Sequence, residues 1–240
     1  MPLLPASNAG SISREPFVYI KELWRYPVKS MAGENLDRIH MGELGFDRDR
    51  NVLALGPNGH VLTSRRYFKL LGLHGTLGAD GQPLISGLPW NSTEALALVR
   101  EATVPGAELT YYEGPERFDI LPLLVATDGA IEAFGHDSRR LRPNIIIGGV
   151  EGLAERSWPG KCLLIGNAAI GIQDLRGRCV MTTYHPDSLQ QNPNVLREII
   201  QKFAGELALN CFVIRTGELK VGDSVELSAD CFVKPASSRA

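Results

Sequence analysis

Residues 161–173 read KCLLIGNAAIGIQ, two short apolar runs on either side of Gly166-Asn167. Short apolar runs bounded by turn residues are strand-like. NIIIGG (144–149) and CFVI (211–214) repeat the pattern, and ELKVGDSVEL (218–227) alternates like a barrel-closing strand pair turned at Gly222-Asp223. Upstream, FVYIKELWRYPV (17–28) sets Phe17, Tyr19 and Leu23 at odd positions of a β-forming run that Pro27 stops. NVLAL (51–55), the turn Gly56-Pro57-Asn58-Gly59 and HVL (60–62) read as a hairpin. EALALVRE (94–101) and AELTYYE (107–113) read as further strands.

Helices are few. Thr63 or Ser64 caps a short helical turn through RRYFKLL, and Thr127 caps DGAIEAF, which Gly135 closes. Asn192 caps a longer helix with Pro193 in its first position and a stripe of Val195, Leu196, Ile199, Ile200 and Phe203, ending at Gly205. Many short strands with few helices predict a mainly β fold with short helices (α+β), in two halves. The expected division is a flexible tail at 1–15, one β-rich unit at 16–120, a second at 121–230, and a tail at 231–240.

Composition narrows the function. The chain has 240 residues, 44% hydrophobic and 22% charged, with 25 Lys plus Arg against 27 Asp plus Glu. That balance, with only 7% aromatics, argues against a nucleic-acid binder. No apolar run approaches the ~20 residues of a membrane span. The opening MPLLPASNAGSISREP lacks the order of a secretory signal, so a cytoplasmic protein is expected. Four cysteines, at 162, 179, 211 and 231, show neither zinc nor iron–sulfur spacing. There is no G-x-G-x-x-G and no P-loop.

Five segments carry candidate chemistry. In Arg176-Gly177-Arg178-Cys179 a thiol follows two guanidinium groups, a positive field that favours the thiolate, which is both nucleophile and soft-metal ligand. The others are Tyr26-Pro27-Val28-Lys29-Ser30, Gly45-Phe46-Asp47-Arg48-Asp49-Arg50, Leu62-Thr63-Ser64-Arg65 and Arg142-Pro143-Asn144. Taken singly, such charges also read as solvated strand ends, and Cys179 as a small buried hydrophobe. Cys162 and Cys211, in apolar runs, fit that second description better.

Taken in order, YPVKS, GFDRDR, LTSR, RPNI, RCVMTT-x-x-PD and VGDSV resemble the MOSC family, named for the C-terminal domain of molybdenum cofactor sulfurase. The first three are similar to the N-terminal β-barrel domain that accompanies it. The layout is most similar to the amidoxime-reducing component and its bacterial relatives. That resemblance implies a β-barrel MOSC domain at 121–230, a smaller β-rich domain at 16–120, and molybdopterin in the cleft between them. It implies Cys179 as the molybdenum ligand, Lys29, Ser30 and Arg48 as cofactor contacts from the first half, and Arg142, Asn144 and Arg178 from the second. Thr127, at a helix start whose free N–H groups suit an anion, and Arg65 complete the implied set.

The implied activity is reduction of a small N-hydroxylated substrate. No ferredoxin-type cysteine run is present, so electrons are expected from a separate ferredoxin-, flavodoxin- or cytochrome b5-like protein. The alternative is a cofactor carrier or sulfur-carrier module with a persulfide on Cys179. Gly177 and His185 depart from the family pattern. His185 reads either as a proton source near neutrality or as a loop histidine without a role.

Overall fold

In the computed structural model, residues 17–231 are described; the expected tails, apart from Cys231, lie outside them. The first half holds β1 (Tyr19–Arg25), β2 (Glu34–Leu36), β3 (Arg38–Gly42), β4 (Gly45–Phe46), β5 (Val52–Leu55), β6 (Gly75–Leu77), β7 (Pro83–Ile85), β8 (Leu88–Pro89), α1 (Thr93–Ala102) and β9 (Glu108–Tyr111). The second holds β10 (Leu123–Thr127), α2 (Asp128–Phe134), β11 (Ile145–Gly148), β12 (Cys162–Ile165), β13 (Ala168–Gly177), α3 (Pro193–Phe203), β14 (Glu206–Arg215), β15 (Gly217–Lys220) and β16 (Glu226–Ser228).

The KCLLIG and AAIGIQ runs form the antiparallel hairpin β12–β13, with Cys162 opposite Gly171 and Ile165 opposite Ala168. They belong to an eight-stranded sheet in the order β16-β12-β13-β14-β10-β11-β1-β2. Only β10 and β11 pair in parallel within it, because α2 supplies the crossover that parallel neighbours require. Thr127 accepts the Ala130 N–H at the start of α2, and Gly135 at φ 70 closes it, as the capping residues predict. In α3, Val195, Ile199 and Phe203 are buried against α2 and Leu207, and two successive left-handed residues end the helix, Ala204 (φ 56) and the expected Gly205 (φ 83).

Four local readings are corrected. The 94–101 segment is the helix α1: Ala95 and Val99 lie one turn apart on its buried face, and Ser92 accepts the Ala95 N–H. In β1 a bulge between Ile20 and Glu22 turns Ile20 and Leu23 inward together, which defeats simple alternation, and Phe17, ahead of the strand, is 62% exposed. The 51–62 hairpin reduces to a single bridge, Leu55 to Val61, while β9 is the partner of β5. β15 and β16 do not pair with each other: β15 joins β3, and β16 joins β12. Between them the chain runs along the start of β1, where the Ile20 N–H donates to the Asp223 carbonyl at 2.9 Å and the Val225 N–H to Val18 at 2.9 Å.

Three apolar clusters result. The largest draws Ile20, Leu23 and Phe46 from the first half together with Leu123, Ile145, Leu163 and Leu209 from the second. A second, with Val28, Met31, Val52, Leu70, Ile85 and Val99, lies wholly within residues 28–107. The third joins α2 to α3.

Candidate functional site

Strand ends and connections leave a cavity of about 150 Å³, lined from both halves of the chain. Pro27 ends β1, and the turn after it is pinned to β5 by the Lys29 N–H on the Val52 carbonyl (2.9 Å). Lys29 is only 8% exposed, and its Nζ donates to the Arg117 carbonyl at 2.6 Å and to Asp119 Oδ1 at 2.7 Å. Burial lowers the Lys29 pKa, and the Asp119 hydrogen bond works against that shift. Asp119 also meets Arg65 at 2.9 Å and Arg176 at 4.0 Å. Burial alone would raise its pKa, but the Lys29 hydrogen bond and the three cations together hold the carboxyl below its usual range.

A polar knot straps the two halves across the cavity. The Asp49 carboxylate, fully buried, accepts the Tyr26 N–H at 2.7 Å and Asn144 Nδ2 at 3.2 Å, and pairs with Arg50. Asn144 also donates to the Trp24 carbonyl (3.2 Å) and accepts the Leu124 N–H (3.2 Å). Ser30, Arg50 and Arg142, all lining the cavity, adopt left-handed backbone at φ 70, 59 and 58. Such strain costs about 1 kcal/mol or more per residue and collects at ligand sites. The Arg142 guanidinium lies 4.4 Å from the Tyr26 ring centre and has no hydrogen-bond partner among the described residues.

The far wall is the end of β13. Arg176 donates to Asn210 Oδ1 at 3.1 Å. Arg178 donates through its terminal nitrogen to the Leu141 carbonyl at 2.7 Å, while its buried Nε has no partner. Burial, followed by the nearby Arg176 charge, pushes Arg178 down to about 10. Cys179 comes next, half-buried, its carbonyl held by the Thr182 N–H at 3.1 Å and hydroxyl at 2.9 Å. Arg176 and Arg178 both act electrostatically on the Cys179 sulfur. Burial instead pushes Cys162 up to about 12 and Cys211 upward as well, so those thiols stay protonated and inert.

Residues 128–226 match the MOSC domain, and residues 17–97 match the MOSC N-terminal beta barrel domain. The chain is a MOSC-domain protein. It is 24% identical to the human mitochondrial amidoxime-reducing component 1, over 87% of this chain and 82% of that protein. Among solved structures, the YUAD protein from Bacillus subtilis superposes with a TM-score of 0.49 at 13% identity, covering 88% of this chain and 94% of that one. YiiM from Escherichia coli gives 0.39 at 13% identity, over 85% and 69% of the two chains. MOSC domains are associated with the molybdenum cofactor.

Of the residues the MOSC resemblance singled out, seven line the cavity: Lys29, Ser30, Arg65, Arg142, Asn144, Arg178 and Cys179. Three lie elsewhere. Arg48 is exposed in a separate shallow hollow beside Asn51 and Tyr111, and the cavity takes Arg50 from the same motif instead. Thr127 is buried against Glu155 at 3.3 Å, and the amides around the start of α2 are taken by Asp128, which accepts from Gly129, Gly149 and Val150. That helix end therefore has nothing to offer the cavity. The His185 side chain is 43% exposed, and its Nδ1 accepts the Asp187 and Ser188 N–H groups at 3.2 and 3.3 Å to build a turn. Sequence reading missed Arg50, Asp119, Arg140 and Met181. The alternating D-R-D-R of 47–50 pointed to Arg50 as much as to Arg48, whereas nothing local marks Asp119.

The donors present fit a molybdenum–pterin group. Phosphate and pterin edges need planar forks and point charges, which Arg142, Arg178, Lys29 and Arg65 provide. The buried, unpartnered Arg178 Nε is a donor awaiting an acceptor. Among the described residues no three His, Cys, Asp or Glu side chains converge as a metal cage, while Cys179 offers the cavity a thiolate, which suits a soft centre.

Proposed function

We propose that this MOSC protein holds the molybdenum cofactor in the cavity between its halves and reduces N-hydroxylated compounds. The observation that carries the reading is one half-exposed thiol, Cys179, sharing a cavity with a buried arginine nitrogen that has no acceptor. Cys179 would hold the metal, Arg142 and Arg178 the flat heterocycle or its phosphate, and Lys29, Arg65 and Arg176 the anionic end. When bound, the group supplies the two-electron chemistry that opens an N–O bond. Substrate, two electrons and two protons give the reduced nitrogen compound and water.

The chain's own part is binding and orientation. The Thr182 bonds to the Cys179 carbonyl fix the sulfur's backbone, and the Asp49–Asn144 knot fixes the distance between the two walls. His185 stands outside the cavity wall, so solvent delivers the protons. Electrons come from a separate ferredoxin-, flavodoxin- or cytochrome b5-like partner, and the proposed setting is cytoplasmic. No helix among the described residues is long and apolar enough to cross a membrane.

The test is metal and pterin analysis of protein made in a host with an intact cofactor pathway, with benzamidoxime turnover driven by an artificial reductant. Molybdenum, pterin and turnover are expected together. Cys179→Ser should lower turnover more than about 100-fold, beyond the usual cost of losing an outer-shell partner of a metal site. Cyanide-releasable sulfur without turnover would instead identify a sulfur carrier, and absence of molybdenum would overturn the reading.

A further inference from the structure

Strand β16 is three residues long and forms an outer edge of the eight-stranded sheet. It pairs with β12 at three positions: Cys162 opposite Ser228, Leu163 opposite Leu227, and Leu164 opposite Glu226. Just past its end the chain doubles back. The Ser228 hydroxyl donates to the Asp230 carbonyl at 2.9 Å, and the Asp230 N–H donates to the same hydroxyl at 3.1 Å. That turn brings Cys231 to Cys162, and the two thiols share a side-chain hydrogen bond. The Cys162 thiol also donates to the Ser228 carbonyl at 3.6 Å. The two sulfurs have unlike surroundings. Cys162 is fully buried, whereas Cys231 is half-buried. Burial first, and the bond to Cys231 next, push the Cys162 thiol up to about 12, which keeps it protonated and closed to reagents in bulk solvent. A thiol that solvent reaches therefore rests against one that it does not.

We propose that Cys231 and Cys162 form a reversible disulfide clamp that fastens the end of β16 to β12, closed by small disulfides of the glutathione class. The Cys231 thiolate attacks one sulfur of oxidised glutathione, forming a mixed disulfide and releasing one glutathione thiolate. The Cys162 sulfur then attacks the Cys231 sulfur, and the second glutathione leaves with the Cys162 proton. Two protein thiols are oxidised, and one glutathione disulfide is reduced to two thiols. Capping Cys231 removes the partner whose hydrogen bond and charge help to hold Cys162 protonated, so the first step prepares the second. A half-buried, solvent-reached pair at a sheet edge belongs with the labile, redox-sensing disulfides rather than the structural ones. The link would close a loop of about 70 residues, and cross-linking a long loop restricts the unfolded chain strongly. The clamp stands apart from the cofactor reading, because neither sulfur lines the cavity.

The folded full chain is incubated with oxidised glutathione, quenched in acid, and read by peptide mass mapping around residues 162 and 231. A peptide pair joined through Cys162 and Cys231 is expected, and dithiothreitol should open it. The joined form should melt at least about 5 °C above the reduced one, the shift expected for a long cross-linked loop in a chain of this size. Cys231→Ser should lose both the link and the oxidant-dependent shift. Cys162→Ala should stop at the mixed disulfide, with one glutathione kept on Cys231. Glutathione retained on Cys231 of the unaltered protein, dimers joined through Cys231, or both thiols still free after incubation overturns the proposal. So does a joined form that melts no higher than the reduced one.

Discussion

Asp119 shows what a single side chain does to an otherwise cationic cavity. Its carboxylate sits where an incoming anion would, against Lys29, Arg65 and Arg176. Asp119→Asn should therefore tighten binding of inorganic phosphate at least about fivefold, the worth of one partly exposed ion pair at ~1 kcal/mol, measured by calorimetry. The pH consequence has a fixed sign. The folded pKa of Asp119 is lowered, so its stabilisation is complete above the unfolded value of about 3.9 and fades as pH falls through the folded value. Urea unfolding between pH 2 and 6 should show wild type losing a small increment in acid that Asp119→Asn never had. Cys179 gives a second residue-scale prediction: iodoacetamide followed by mass spectrometry should label it well before Cys162 or Cys211. Both of those are fully buried with raised pKa, whereas Cys179 reaches the cavity. Asn144→Ala should cost about 1–3 kcal/mol for each buried group it strands, read by urea denaturation.

At the scale of elements, what could be read from sequence was what local chemistry decides. Thr127 and Gly135 bracket α2, Asn192 and Pro193 open α3, and the turn at Gly166-Asn167 sets β12 against β13. What escaped is what long-range pairing decides. Ala95, Ala97 and Val99 alternate as well as they spiral, and only the Ser92 cap with Glu94 in the first turn separates the two readings. The bulge in β1 lies in its pairing with β11 and leaves no mark in its own residues. The cavity divides in the same way: motif residues at strand ends were visible, but Asp119 and Arg140 arrive from connections whose course only the fold determines. One element carries an avoidable strain. Ala204 ends α3 in left-handed backbone at φ 56, so Ala204→Gly should stabilise the protein by about 0.5–1 kcal/mol, visible as a raised melting temperature.

Across the whole molecule, a chain of net charge −2 concentrates Lys29, Arg50, Arg65, Arg142, Arg176 and Arg178 around one opening. The field that meets an anion is thus local and opposite in sign to the net charge. The largest apolar cluster mixes residues from either side of position 120, so the two walls of the cavity share one rigid support. The clasp of residues 222–225 on the beginning of β1 has a consequence for how the molecule is made. Strand β1 meets β11 and residues 222–225, roughly 200 positions downstream of it, so its neighbours cannot be complete until that downstream segment has been made. Until then β1 has β2 alone of its sheet neighbours close by in sequence, so closing this part of the fold is a late, long-range step.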